Sequence, residues 1–242
     1  MTGPVGLHGG GEFLPGDELV LRALLELAPR TDGVVRVVVV PTAAARGRPE
    51  IAAANGVAAF RRVAADAEIP AVVEPVRVVD AASAADPALA ERLTAATLIH
   101  LPGGDPDIIP TLYPDTAAWA AIQRAHATGA VLAGASAGAM ALAGWTWTPS
   151  GGVDGLGVVP GIGVAPHADE ASWDRAMARY AAGVPPDIDF LGLAERTAVV
   201  VPGDAAAPWQ VVGRGEVRYL TAAARAAGEV PAVYHDGDRI VR

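Results

Sequence analysis

Two residue types are missing from this 242-residue sequence, which contains no cysteine and no lysine. Without cysteine there is no disulfide, no thiolate metal site and no thiol nucleophile. Without lysine there is no P-loop lysine, no Schiff-base lysine and no Ser-Lys dyad. All 18 basic residues are arginines, and any nucleophile in this chain must be an oxygen or a nitrogen.

The sequence also has little that would bind a membrane or a nucleic acid. No apolar run approaches the roughly 18 residues that span a bilayer, and the first residues, MTGPVGLHGGGEF, lack the pattern of a signal peptide. The formal net charge is −9 without a run of basic residues, whereas binding to a phosphate backbone needs a basic face. We therefore expect a cytoplasmic protein with no membrane or nucleic-acid partner.

Apolar runs alternate with helix-like stretches over about the first 140 residues, and the runs are PVGLH, VRVVVV, AVVEP, TLIHL and VLAGA. This alternation predicts an α/β fold: a doubly wound, mainly parallel sheet flanked by helices. The segment WTWTPSGGVDGLGVVPGIGVAPHAD reads as loop and short strand. The later runs TAVVVPG, PWQVVGRGEVRYL and AVYHDGDRIVR read as short antiparallel strands near the C-terminus. With 52% hydrophobic residues spread along the chain, we expect one domain over residues 1–242.

The stretch VLAGASAGAMALAG has the pattern of a nucleophile elbow, in which a buried strand meets a helix through a tight turn. Gly134 and Gly138 flank Ser136 as G-x-S-x-G, and their missing Cβ atoms allow the turn to close while Oγ stays exposed. The backbone N–H of Ala137, in the first helical turn, is then a candidate oxyanion donor. The motif alone also fits a purely structural small-residue turn, so the other loops must decide.

Sites in parallel α/β sheets lie at the carboxyl ends of strands, which directs attention to the loops PGGDP and HGGGE. The N–H groups of PGGDP could complete an oxyanion hole, with Gly104 as the first choice and Gly103 as the alternative. HGGGE lacks the G-x-G-x-x-G spacing of a dinucleotide loop. We therefore predict no nucleotide cofactor.

A serine nucleophile needs a base, and His167 is the best placed of the five histidines because it follows the elbow in a Gly/Pro-rich loop, APHADE. A carboxylate must orient its imidazole. Asp154, between serine and histidine, is the leading candidate, with Asp169 and Glu170 as alternatives. Asp154 also fits a simple turn-supporting role.

Taken together, GGGE, PGGDP, GASAGAM, GGVDGLG, the PH of APHAD, LGLAERTAVVV and WQVVGRGEVRYL resemble the S51 serine peptidases, the family of dipeptidase E and cyanophycinase. The resemblance runs along nearly the whole chain and implies a fold like that of the class I glutamine amidotransferases, which is flavodoxin-like. It also implies that Ser136 is the nucleophile, His167 the base, an acid such as Asp154 the orienting group, and Gly104 and Ala137 the oxyanion donors.

A small peptide or isopeptide is the substrate that this resemblance implies, with aspartyl dipeptides and cyanophycin-like compounds as examples, and neither a metal nor an organic cofactor is required. Asp105 in the PGGDP loop and Arg175 after the histidine are the candidate substrate-binding residues. Three acids, Asp169, Glu170 and Asp174, precede Arg175. The site could therefore recognise either an acidic side chain or an amine of the substrate. A homodimer is also compatible with the sequence.

Two alternatives compete with a serine peptidase. HGGG with G-x-S-A-G also resembles the hormone-sensitive-lipase branch of the α/β-hydrolases, which would nominate His235 as the base, but only seven residues precede His8. The other alternative is a non-catalytic amidotransferase-like module that binds a ligand or a partner chain. A separation between Ser136 Oγ and the His167 imidazole well beyond about 3.5 Å would favour that module.

Overall fold

The structure, a computed structural model, describes residues 2–181, 183–204 and 206–242. The strands are β1 (Val5–His8), β2 (Val35–Val39), β3 (Ala71–Pro75), β4 (Leu98–Leu101), β5 (Val131–Ala135), β6 (Ala143–Thr148), β7 (Gly151–Asp154), β8 (Val159–Pro166), β9 (Asp189–Leu193), β10 (Thr197–Val201), β11 (Trp209–Gly213), β12 (Val217–Leu220), β13 (Ala232–Tyr234) and β14 (Arg239–Ile240). The helices are α1 (Glu18–Leu27), α2 (Pro49–Asp66), α3 (Ala81–Ala85), α4 (Pro87–Thr94), α5 (Ile108–Leu112), α6 (Ala117–Ala127), α7 (Ala137–Leu142), α8 (Trp173–Tyr180) and α9 (Ala222–Ala227), with a 3₁₀ turn at Thr42–Ala44.

The larger sheet has eight strands in the order β14-β11-β10-β1-β5-β4-β2-β3. Its five strands from β1 to β3 are mutually parallel, and β10, β11 and β14 add antiparallel strands at the other edge. Alternate residues of β2 and β4 enter different cores: Val37 and Leu98 pack with α1 and α2, whereas Val38 and Ile99 pack with α4 and α6. Helices therefore cover both faces, which confirms the predicted doubly wound α/β fold.

A second sheet of six strands, in the order β13-β12-β9-β8-β6-β7, was not expected from the sequence. Its strands β6, β7 and β8 occupy the Gly- and Pro-rich segment that we expected to be loop and short strand. Here β8 runs parallel to both β6 and β9. Ile162 and Val164 of this sheet share a buried cluster with Leu7 and Leu132 of the larger sheet. The single domain over residues 1–242 stays a prediction.

Among the residues that the structure describes, no helix is long and apolar enough to cross a membrane.

Three ionisable side chains are buried together beneath the end of β1. His8 Nε2 lies 3.0 Å from Asp17 Oδ1, and these side chains are 2% and 1% exposed. His100 on β4 packs against the rings of Phe13 and Phe60 at centroid distances of 5.2 and 5.4 Å. Burial, and then the neighbouring His8, lowers the pKa of His100 to about 3. His100 is therefore neutral in the folded protein at neutral and mildly acidic pH.

This buried histidine makes the fold sensitive to acid. Below the ordinary histidine pKa of about 6.5, the unfolded chain takes up a proton at His100 that the folded chain does not, so stability falls as the pH decreases toward about 3. We predict that His100 alone removes about 2 kcal/mol of unfolding free energy between pH 7 and pH 5. In denaturant melts, the unfolding free energy of His100→Phe should fall between pH 7 and pH 5 by about 2 kcal/mol less than that of wild type. The exposed control His235→Gln should show the same decrease as wild type. An unchanged pH dependence in His100→Phe would contradict this assignment.

Candidate active site

The turn from β5 into α7 has the backbone of a nucleophile elbow. Ser136 adopts φ 49° and ψ −114°, a conformation that a non-glycine residue rarely adopts. A Cβ on Gly134 would lie 2.4 Å from the backbone of Gly138, and one on Gly138 would lie 2.1 Å from the carbonyl oxygen of Leu101. Both glycines are therefore sterically required, and the chain turns tightly enough to leave Ser136 at the carboxyl end of its strand.

Ser136, His167 and a glutamate form a chain of two hydrogen bonds. Ser136 Oγ lies 3.1 Å from His167 Nε2, and His167 Nδ1 lies 3.0 Å from Glu195 Oε1. An ionised carboxylate can only accept, so Nδ1 carries the proton and Nε2 is free to accept from the serine hydroxyl. This is the arrangement that a Ser-His-acid triad requires.

The pairing of β8 with β9 brings the histidine and the glutamate together. These strands are parallel neighbours, and Pro166 lies opposite Leu193. His167 directly follows β8, and Glu195 lies two residues beyond β9. Because parallel strands end at the same edge of a sheet, two positions 28 residues apart in sequence become adjacent side chains.

The structure does not place Asp154 beside the histidine. Asp154 is an exposed residue at the end of β7, the outermost strand of the second sheet. Among the residues described, neither Asp154, Asp169 nor Glu170 is hydrogen-bonded to His167, and His235 lies in an exposed turn instead of at the serine. The expected contact between Asp154 and His167 is therefore wrong, because β7 lies at an edge of the second sheet, and Glu195 makes that contact instead. The signal for Glu195 was its place in LGLAERTAVVV, directly between two apolar runs.

The glycine-rich loop at Gly9–Gly11 packs directly against the side chains of His167 and Glu195. A Cβ on Gly10 would lie 2.3 Å from His167 Cε1, and one on Gly11 would lie 3.0 Å from Glu195 Oε2. Only glycines allow the backbone to approach these side chains so closely. Three consecutive carbonyls of this segment accept hydrogen bonds: that of His8 from Ser136 N–H at 2.9 Å, that of Gly9 from His167 N–H at 2.9 Å, and that of Gly10 from Arg196 N–H at 2.8 Å.

The PGGDP loop and α7 present two backbone N–H groups near the serine. Gly103 N–H donates to Glu12 Oε1 at 2.8 Å, so it is already occupied. In the part of the chain that the structure describes, the N–H groups of Gly104 and Ala137 have no protein acceptor, and both residues line the same pocket as Ser136. Both N–H groups are therefore able to donate to a group bound in this pocket.

The pocket in front of Ser136 has a volume of about 330 Å³. On the side formed by α8 and β6, the Arg179 guanidinium lies 4.6 Å from the centre of the Trp147 ring, which is a cation–π contact. Asp105 also lines the pocket, and Arg46 lies 3.2 Å from its carboxylate. Arg175 is exposed on α8 and does not line the pocket. The lining residues are Gly104, Asp105, Pro106, Ser136, Ala137, Met140, Trp147, Pro149, Pro166, His167, Arg179 and Tyr180.

Within residues 2–181, 183–204 and 206–242, no three histidine, aspartate or glutamate side chains converge in a way that could hold a metal ion.

Comparison with known proteins gives a family match. Residues 7–208 match the family described as peptidase family S51. A peptidase from an acI-B1 Actinobacterium has a similar crystal structure, with 26% sequence identity, a TM-score of 0.78, and coverage of 100% of this chain and 98% of the other. A putative peptidase E protein from Listeria monocytogenes EGD-e, at 13% identity and a TM-score of 0.59, covers 89% of this chain and 99% of its own and shares the fold.

No curated protein sequence gives a significant match to the chain. The family match nevertheless covers most of the sequence and agrees with the resemblance that the loop motifs carry. The chain belongs to peptidase family S51, and it is a peptidase.

Proposed function

We propose that this protein is a serine peptidase that hydrolyses small peptides or isopeptides through an acyl-enzyme on Ser136. The observation that carries the proposal is the continuous chain of hydrogen bonds from Ser136 Oγ through His167 to Glu195. Its Oγ–Nε2 distance of 3.1 Å is within hydrogen-bond reach, which favours an enzyme over a non-catalytic binding module.

Each side chain has a defined task in this reaction. His167 Nε2 takes the proton of Ser136 as Oγ attacks the scissile carbonyl carbon, while the N–H groups of Gly104 and Ala137 hold the developing oxyanion. The C–N bond then breaks, and His167 donates its proton to the leaving amine. A water molecule, deprotonated by His167, next attacks the acyl-enzyme and releases the carboxylic acid with Ser136 restored. Throughout, the Glu195 carboxylate orients His167 and stabilises the imidazolium.

An acidic group on the acyl side is the feature that the pocket is best equipped to recognise. The Arg179 guanidinium faces the pocket from its stacked position on Trp147, and among the described residues it forms no salt bridge with a protein carboxylate. Asp105 is less suited to bind a substrate amine, because its carboxylate already has Arg46 as a partner at 3.2 Å. Aspartyl dipeptides carry such a carboxylate on the aspartyl side chain, where Arg179 would bind it. In a β-aspartyl isopeptide of the cyanophycin type that carboxyl is itself the acyl group, so the free carboxylate lies on the amine side of the scissile bond.

The cytoplasmic location and the homodimer that we expected from the sequence stay predictions. Cell fractionation and sedimentation of the purified protein would test them.

The nucleophile can be tested by covalent labelling. A fluorophosphonate probe should label the wild-type protein once per chain, and Ser136→Ala should abolish labelling because no other hydroxyl is paired with His167 Nε2. Ser150→Ala, in the exposed turn between β6 and β7, is the matched control and should be labelled like wild type. Labelling that survives in Ser136→Ala would rule out this nucleophile.

The orienting acid can be tested with a matched pair of amide substitutions. We expect Glu195→Gln to lower kcat for an aspartyl dipeptide by roughly 10²- to 10⁴-fold, because the wrong imidazole tautomer is then favoured. Asp154→Asn removes a carboxylate that lies elsewhere and should retain wild-type turnover. Circular dichroism would confirm that both variants fold, and the reverse pattern of activity would restore the role to Asp154.

Substrate recognition can be tested on α8, which carries two arginines in different settings. Arg179→Gln should raise KM for an acidic substrate by about 10- to 100-fold, the range expected when a charge-assisted hydrogen bond is lost, with little change for its uncharged amide analogue. Arg175→Gln, on the same helix but outside the pocket lining, should change neither value. Equal effects of Arg179→Gln on acidic and neutral substrates would argue against a carboxylate contact.

A further inference from the structure

Glu12 connects the glycine-rich loop to the loop that carries the oxyanion donor. Its Oε1 accepts a hydrogen bond from Gly103 N–H at 2.8 Å, across 91 residues of sequence. Glu12 does not take part in the reaction steps described above, yet it contacts the backbone directly next to Gly104. This position suggests a role in shaping the oxyanion hole.

The surroundings of Gly103 leave little space for a side chain at this position. A Cβ on Gly103 would lie 3.0 Å from Glu12 Oε1 and 3.0 Å from Ser136 Cβ. The carboxylate and the nucleophile therefore flank the same backbone segment. With Glu12 as acceptor, Gly103 N–H is directed away from the pocket, and the next N–H, that of Gly104, is left for the substrate.

The loop is also fixed on its other side. A Cβ on Gly104 would lie 2.2 Å from the carbonyl oxygen of Ala43, and Asp105 N–H donates to that same oxygen at 2.7 Å. One end of PGGDP is thus held by the backbone after β2. The hydrogen bond from Gly103 to Glu12 is the second fixed point, and the Gly103–Gly104 peptide lies between the two.

The segment that presents Glu12 is itself anchored. Asp17 Oδ2 accepts from Phe13 N–H at 2.9 Å, and its other oxygen lies 3.0 Å from buried His8 Nε2. The Gly10 carbonyl, just before Glu12, accepts from the backbone at Arg196. Glu12 is therefore held on a segment with little freedom, as a positioning side chain must be.

We infer that Glu12 is a positioning residue: by accepting from Gly103 N–H, it fixes the PGGDP loop so that Gly104 N–H points at the oxyanion. This inference rests on the proposed serine-peptidase function. The role requires a side-chain oxygen that accepts a hydrogen bond from Gly103 N–H. Glutamine at position 12 provides such an oxygen, and alanine does not. Aspartate is one methylene shorter and does not reach Gly103.

Backbone hydrogen exchange measured by NMR tests the hydrogen bond without reference to activity. Exchange at Gly103 should be at least about 10-fold faster in Glu12→Ala than in wild type, since its amide loses its acceptor, and Glu12→Gln should stay close to wild type. Glu18→Ala is the matched control: Glu18 accepts from Gly16 N–H at 2.8 Å in the same region, so its loss should leave Gly103 unaffected. Unchanged exchange at Gly103 in Glu12→Ala overturns the inference.

Kinetics test the positioning role. Glu12→Ala and Glu12→Asp should lower kcat by about 10- to 100-fold, within the range seen when an oxyanion donor is lost or misplaced, and change KM by less than about twofold. A peptide boronate, which mimics the tetrahedral intermediate, should bind more weakly by a similar factor. Glu12→Gln and Glu18→Ala should remain within about threefold of wild type.

Two further outcomes separate this inference from the proposed function. The positioning role is overturned if Glu12→Ala has a normal kcat although Gly103 exchanges fast. It is also overturned if kcat falls as much in Glu12→Gln as in Glu12→Ala. In both cases intact labelling of Ser136 leaves the proposed function standing. If Glu12→Ala does not fold, Glu12→Asp and Glu12→Gln decide by the same criteria. A wild-type protein that does not react with a fluorophosphonate overturns the serine mechanism, and with it the positioning role.

Discussion

The active site depends on three consecutive carbonyls at the end of β1. Those of His8, Gly9 and Gly10 accept hydrogen bonds from the backbone at Ser136, His167 and Arg196. Ser136 belongs to the larger sheet, whereas His167 and Glu195 follow strands of the smaller one. A single short segment is thus hydrogen-bonded to residues that follow strands of both sheets, and these bonds help to hold the geometry of the proposed triad.

Features that depend on local sequence were predictable. The elbow at Ser136 is encoded within five residues. Its two flanking glycines cannot be replaced, because a Cβ at either position would clash with the backbone. The alternation of apolar runs with amphipathic helices similarly determines a doubly wound sheet, because each strand must be covered on both faces. His167 was favoured because it lies in a Gly- and Pro-rich loop shortly after the elbow, and its Nε2 lies 3.1 Å from Ser136 Oγ in the structure.

The identity of the acid was not predictable in the same way, because it depends on strand pairing. Asp154 lies between Ser136 and His167 in sequence, but it ends at the outer strand of the second sheet. Glu195 reaches His167 only because β8 and β9 are parallel neighbours in a register that aligns Pro166 with Leu193. A second sheet formed by Gly- and Pro-rich segments gives a weak period-2 pattern, so neither the sheet nor its register could be derived locally. The same applies to Arg179, whose orientation follows from the packing of α8.

Charge poses a further constraint on the proposed function, since a protein of net charge −9 repels an acidic substrate at long range. At physiological ionic strength this repulsion decays within about 8 Å, so short-range contacts decide binding. Arg46 pairs with both Asp105 and Asp107, at 3.2 and 2.8 Å, and offsets negative charge at one side of the pocket. On the other side, Trp147 covers one face of the Arg179 guanidinium. Arg179 lines the pocket and has no carboxylate partner among the described residues, so the proposed recognition of an acidic group is compatible with an acidic protein.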